Sequence, residues 1–300
     1  MISLARLSWC AVAVAFGEVL LGSWTRINGA GMTCPDYPLC RGRIVPAFDG
    51  GVIWEWTHRF TALALSVLVV IAIVRALNRR YSAPPGVRAA ASVVGALFLF
   101  QIFLGAATVK LSNTPISVVW HWGTAMALIA ALAALAIFAD AGPSPRPTRN
   151  AWAMAAVLAF AAGVAFMTMC IGAYVSSSGA GLACVTIPGC AGNVVVFGNG
   201  QYVQMLHRIA AASSLLAAVA AFAFAWIQRA SSRVRVWTTA ALALVFVQIV
   251  LGLLNVALRL PIDLREAHAA NAALIFLTFA CATTLAVVDA SPQREPVQAV

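Results

Sequence analysis

Eight stretches of this sequence, at about residues 7–25, 56–77, 88–110, 119–139, 151–175, 203–227, 236–258 and 267–288, are each long and apolar enough to cross a bilayer, which takes about 20 mainly apolar residues. Inside lipid a backbone must satisfy its own hydrogen bonds, and segments of this length do so as helices. The chain is 62% apolar and only 9% charged, against about 25% charged in an ordinary soluble domain. An all-α integral membrane fold follows. The first stretch could pass for a signal peptide, but it is long, carries Glu18, and has no clear small-residue cleavage site after it. We expect it to stay in the mature protein as the first span.

A formal net charge of +10 raises the question of a nucleic-acid partner. No basic stretch is separable from a hydrophobic one, so the charge reads as a topology signal facing membrane lipid, with no nucleic acid.

The spans fall into two copies of one unit. Gly29-Ala30-Gly31-Met32-Thr33-Cys34, then Cys40, recurs as Gly179-Ala180-Gly181-Leu182-Ala183-Cys184, then Cys190, and Gly22 recurs as Gly172, all at an offset of 150. His58-Arg59 recurs as His207-Arg208 at 149. Gln101-Ile102-Phe103-Leu104-Gly105 recurs as Gln248-Ile249-Val250-Leu251-Gly252, and His121 as His268, at 147. Landmarks in one order with so little drift in offset mark a duplication. Four spans per copy give both copies the same orientation. The expected architecture is therefore two tandem four-helix bundles, residues 1–145 and 146–300, related by a pseudo-two-fold axis along the membrane normal.

The positive-inside rule orients them. Arg6, Arg75, Arg79, Arg80, Arg88, Arg146, Arg149, Arg229, Arg233, Arg235 and Arg294 fall on one side, the other eight basic residues opposite. This bias, with the cysteine loops kept out of a reducing cytosol, puts both termini inside and the cysteine loops outside. Cys10, Cys170 and Cys281 lie in apolar runs and read as small core residues.

The four histidines, His58, His121, His207 and His268, each lie near the start of an even-numbered span, and so at similar depth near the outer face. A lone histidine in such a place is often just a satisfied polar residue; four at repeat-equivalent positions point to ligation. Zinc and copper usually gather three or four close ligands, whereas two histidines per bundle suit the axial positions of a haem. Arg59 and Arg208 are candidates for haem propionate contacts, or alternatively snorkelling interfacial arginines. Glu55 shares a helix face with His58 three residues on, while the matching residue in the other copy is Gln204. That asymmetry points to one reactive site with Glu55 as acid or base and one auxiliary site; the plainer reading pairs Glu55 with an arginine. Glu18, matched by Thr168, has no partner evident in the sequence. Cys34 with Cys40, and Cys184 with Cys190, are candidate disulfides, structural or redox-active.

The run Arg26-Ile27-Asn28-Gly29-Ala30-Gly31-Met32-Thr33-Cys34-Pro35-Asp36-Tyr37-Pro38-Leu39-Cys40, followed by Glu55-Trp56-Thr57-His58-Arg59, resembles the haem A synthase family of bacteria and mitochondria. The resemblance extends over nearly the whole chain. Tyr37 stands where that family has tryptophan and Ala30 where it has serine; neither is a proposed ligand. The resemblance implies oxidation of a methyl group of haem O to the formyl group of haem A, by successive hydroxylations and dehydration. It implies His58 and His121 on the substrate haem, His207 and His268 on a haem b cofactor, and Glu55 as the essential carboxylate. It also implies a haem O synthase as supplier and a cell-membrane location. The electron donor, and whether the chain forms a homo-oligomer, are left open by these residues. Two rivals remain: a non-catalytic bis-histidine cytochrome passing electrons from quinol to a partner, and a transporter, which lacks the Gly- or Pro-broken helices expected of one.

Overall fold

The computed structural model describes residues 2–141, 150–187, 189–190 and 198–291. The boundary expected at 145/146, and with it Arg146, Arg149 and Arg294, lies outside the described residues. The described chain forms eight helices: α1 (Leu4–Ile27), α2 (Val52–Leu77), α3 (Val87–Lys110), α4 (Pro115–Asp140), α5 (Ala151–Ser177), α6 (Asn199–Ile227), α7 (Ser232–Ala257) and α8 (Ile262–Ala290). All eight are long and apolar enough to span a membrane.

Every helix except α5 begins earlier than its apolar run, by four or five residues in every even-numbered case. Their first turns carry polar residues such as Glu55, Gln201 and Asp263, which dilute hydropathy without opposing helix formation. The true starts lie at Gly51, at the Thr114-Pro115 pair and at Pro261, where proline's fixed φ suits entry to a helix. The histidines consequently sit deeper than expected, six residues into α2, α4 and α8 and eight into α6.

Helix α1 packs on α2 and α4, and α3 on both α2 and α4, closing one ring; α5, α6, α7 and α8 close a second in the same order. The rings meet where α4 packs on α5 and α8, and α1 on α8. Burial follows position in the repeat: the apolar windows of α4 and α8 are each 61% buried, those of α2 and α6 each 22%, and those of α3 and α7 each 17%. Lipid tails give no hydrophobic drive for helix association, so contact depends on close approach. Fully buried Ala72 and Ala76 on α2, Ala91 on α3, and Ala218, Ala221 and Ala225 on α6 provide it. Leu63, Phe103, Leu216 and Val236 point outward, as a lipid-facing surface requires. Cys281 is buried as expected, but Cys10 faces outward and Cys170 is only partly covered.

At the meeting of the rings, Arg26 at the end of α1 donates to Ser176 Oγ at the end of α5 over 3.1 Å. These are repeat-equivalent positions. Gly29 and Gly179 then turn the chain out of α1 and α5 with φ of +72° and +74°, a conformation that penalises any side chain.

Candidate functional site

Each histidine rests against a glycine of the neighbouring helix. A methyl group built at Gly22 would lie 2.7 Å from Cε1 of His58, and one at Gly172 2.8 Å from Cε1 of His207. The equivalent contacts are 3.4 Å for Gly105 with His121 and 3.3 Å for Gly252 with His268. These glycines were visible in the sequence only as repeat landmarks. Their role as seats for the rings was missed, although their offsets, 150 and 147, are those of the neighbouring motifs.

His207 and His268 face each other with ring centroids 6.4 Å apart and planes at 74°. Two imidazoles ligating one iron, each through a bond of about 2 Å, put their ring centres roughly 6 Å apart. Among the described residues no group of three or more His, Cys, Asp or Glu side chains could gather a metal ion. The donor set thus fits a bis-histidine haem better than a zinc or copper centre.

The Nδ1 atoms are dressed differently in the two pairs. His58 Nδ1 lies 2.7 Å from Glu18 Oε1, off the straight line of a hydrogen bond, and the other carboxylate oxygen accepts from the Thr61 hydroxyl. The Gln101 amide lies 3.2 Å from His121 Nδ1. Its Oε1 is buried without a partner; with the amide turned over, that oxygen would accept from Nδ1–H. Nδ1 of both His207 and His268 is buried without a hydrogen-bond partner. There the equivalent amide, Gln248, donates instead to the His268 carbonyl over 3.0 Å and accepts from Asn271 over 2.7 Å.

Glu55 is 4% exposed and fully engaged. Its Oε1 receives Arg59 Nη2 at 2.7 Å, and its Oε2 receives Thr33 Oγ1 at 3.0 Å and the Cys34 amide at 2.8 Å. Gln204 occupies the same place, accepting from the Cys184 amide and donating to the Gly181 carbonyl over 2.8 Å. Arg59 donates to the carbonyls of Cys34, Asp36 and Leu39, and Arg208 to those of Cys184, Thr186 and Gly189, all within 2.9 Å. The two acceptor sets match residue for residue at the offset of 150. The arginines expected at propionates therefore anchor the cysteine loops, and the arginine pairing weighed for Glu55 is present. Cys34 and Cys40, and Cys184 and Cys190, sit at disulfide distance, with Cα separations of 4.6 and 4.7 Å. Pro188, in the second loop, lies outside the described residues.

A sequence profile of the cytochrome oxidase assembly protein family (COX15-CtaA) matches residues 47–280. A protein of Shewanella oneidensis named as a haem A synthase is 28% identical, the match covering 87% of this chain and 89% of the relative. A haem A synthase of Bacillus licheniformis is 28% identical over 83% and 84%. A protohaem IX farnesyltransferase of Halobacterium salinarum is 44% identical over 98 residues, 32% of this chain and 21% of that protein. With a profile covering most of its length, the chain belongs to the COX15-CtaA cytochrome oxidase assembly family, the family of the haem A synthases.

Proposed function

We propose that the chain is a haem A synthase of the cell membrane, oxidising a porphyrin methyl group of haem O to the formyl group of haem A for cytochrome oxidase assembly. The observation that carries this reading is the duplicated histidine pair in a chain of this family, with Glu18 and Glu55 in one half at the positions where the other half has Thr168 and Gln204.

On this reading His58 and His121 hold the haem being oxidised, and His207 and His268 hold haem b. Bound haem supplies the redox chemistry. The protein supplies ligation, orientation and proton handling. Glu55, one helical turn from His58, is the acid or base of the reaction. Arg59 and Arg208 close the loops over the outer end of each site. The two closed rings and their matched burial support the tandem halves and the axis between them; the arginine distribution supports cytoplasmic termini with both cysteine pairs oxidised outside. Haem O comes from a haem O synthase, a supply step in keeping with the partial likeness to a protohaem farnesyltransferase.

The test is chromatography of haems extracted from the purified protein after co-expression with a haem O synthase. Haem A together with haem b is the expected result. Two unmodified haems in fixed ratio, with no haem A, would favour the quinol-linked cytochrome.

A further inference from the structure

We infer that Glu18 is the positioning residue of His58, holding its Nδ1 proton and making it a stronger iron donor than any histidine of the other half. The inference rests on the reading of His58 as an iron ligand.

A carboxylate in a spanning helix is costly unless it is partnered. Glu18 is 9% exposed; its Oε2 accepts from the Thr61 hydroxyl, and its Oε1 stands 2.7 Å from His58 Nδ1 as an ion-pair contact. A bare nitrogen lone pair at this distance from a carboxylate oxygen would be repelled, so the contact favours the tautomer that carries its proton on Nδ1. With that proton on Nδ1, the bare lone pair is on Nε2, the nitrogen left to face iron. Gly22, one turn further along the same face of α1, seats the ring, so two positions of one helix fix both the rotation and the tautomer of His58. A carboxylate behind a ligating imidazole raises its basicity, and a more basic axial ligand favours oxidised iron.

The other half lacks both parts of the device. Thr168 replaces Glu18 and Ala210 replaces Thr61. The Thr168 hydroxyl is turned to Ser214 Oγ at 2.8 Å and to the carbonyls of Val164 and Ala210. His207 Nδ1 is left buried with no hydrogen-bond partner. Glu18 therefore acts through His58 and need not touch the substrate.

The experiment is a spectroscopic redox titration of the full chain carrying its haems. Glu18→Gln keeps the shape and removes the charge, and should raise the midpoint of the N-terminal haem while leaving the C-terminal haem unmoved. An unshifted midpoint with both haems retained would overturn the inference. Should Glu18→Gln fail to fold, Thr168→Glu with Ala210→Thr decides: a lowered midpoint of the C-terminal haem supports the inference, and an unchanged one overturns it. His58→Ala separates the underlying reading. If that variant keeps both haems with unaltered spectra, His58 is no ligand at all, whereas loss of one haem leaves only Glu18 in question.

Discussion

The two halves share a frame and differ in what they place behind the histidines. Both seat each histidine on a glycine, and both clamp the cysteine loop through one arginine and three equivalent carbonyls. At two matched positions the N-terminal half has carboxylates and the C-terminal half has none: Glu18 behind His58 and Glu55 under the loop. The equivalents are a threonine that bonds elsewhere and a glutamine that holds the loop without charge. Since Gln204 performs the loop-holding task, that task does not need ionisation. The charge at position 55 is thus not needed to hold the loop amide, although it also pairs with Arg59, and this supports the chemical role proposed for it.

The largest effect that could break this comparison is loss of a haem from one half alone. His207→Ala with His268→Ala should remove most of the low-spin b-type absorbance from purified protein, while His58→Ala with His121→Ala should leave it. Retention of the full b-type spectrum in the C-terminal double variant would reverse the assignment of the halves. Next in size is Glu55→Gln. A positioned acid or base contributes about 10²- to 10⁴-fold to rate, so haem A formation should fall by that order while the haem b spectrum persists. The amide loses the pairing with Arg59, a hydrogen bond to a charged group worth roughly 1.5–3 kcal/mol, yet Arg59 keeps its three carbonyls. Haem A accumulating at the unmodified rate would make Glu55 a structural carboxylate only.

A smaller effect should fall equally on the two halves. Gly22→Ala and Gly172→Ala each force a methyl group to within 3 Å of a histidine ring, and overpacking of this kind costs about 1–3 kcal/mol. Gly105→Ala and Gly252→Ala, at 3.4 and 3.3 Å, should cost less. Thermal release of haem from the four variants measures this. Unequal losses between Gly22 and Gly172 would mean that the two frames are less alike than their geometry.

Much of this was legible in the sequence, for identifiable reasons. Bilayer thickness sets a minimum length on apolar segments, so eight helices could be counted; duplication exposed the histidines, because chance does not put four at matched offsets. Helix starts were not legible, since residues such as Gln201 and Asp263 are polar yet helical. The partner of Glu18 was hidden because it lies on another helix, and rotation about a helix axis cannot be read from one span. Arg59 and Arg208 looked like anion binders because a carbonyl cluster formed by a folded loop leaves no mark in composition.

The smallest expected difference lies in the cysteine loops themselves and concerns acid. Asp36 has Thr186 as its counterpart, so only the N-terminal loop carries a titratable group at this position. The Asp36 carboxylate accepts from the Gly42 amide at 2.8 Å and the Arg41 amide at 2.6 Å. These contacts, the Gly42 amide foremost, with the Arg59 charge adding to them, hold its carboxyl below the usual value of 3.8. A group whose folded pKa is depressed stabilises the fold above its unfolded pKa and loses that contribution as pH falls through the folded value. The N-terminal loop should therefore loosen in acid below about pH 4, with faster hydrogen exchange at the Arg41 and Gly42 amides, while exchange in the Cys184 loop follows only the ordinary pH dependence of the chemistry. Because the carboxylate is exposed to solvent, the change should be local and should leave haem binding in place. Asp36→Asn, which keeps one acceptor oxygen and cannot ionise, should abolish the acid step; if the step survives in that variant, another group in the loop is responsible for it.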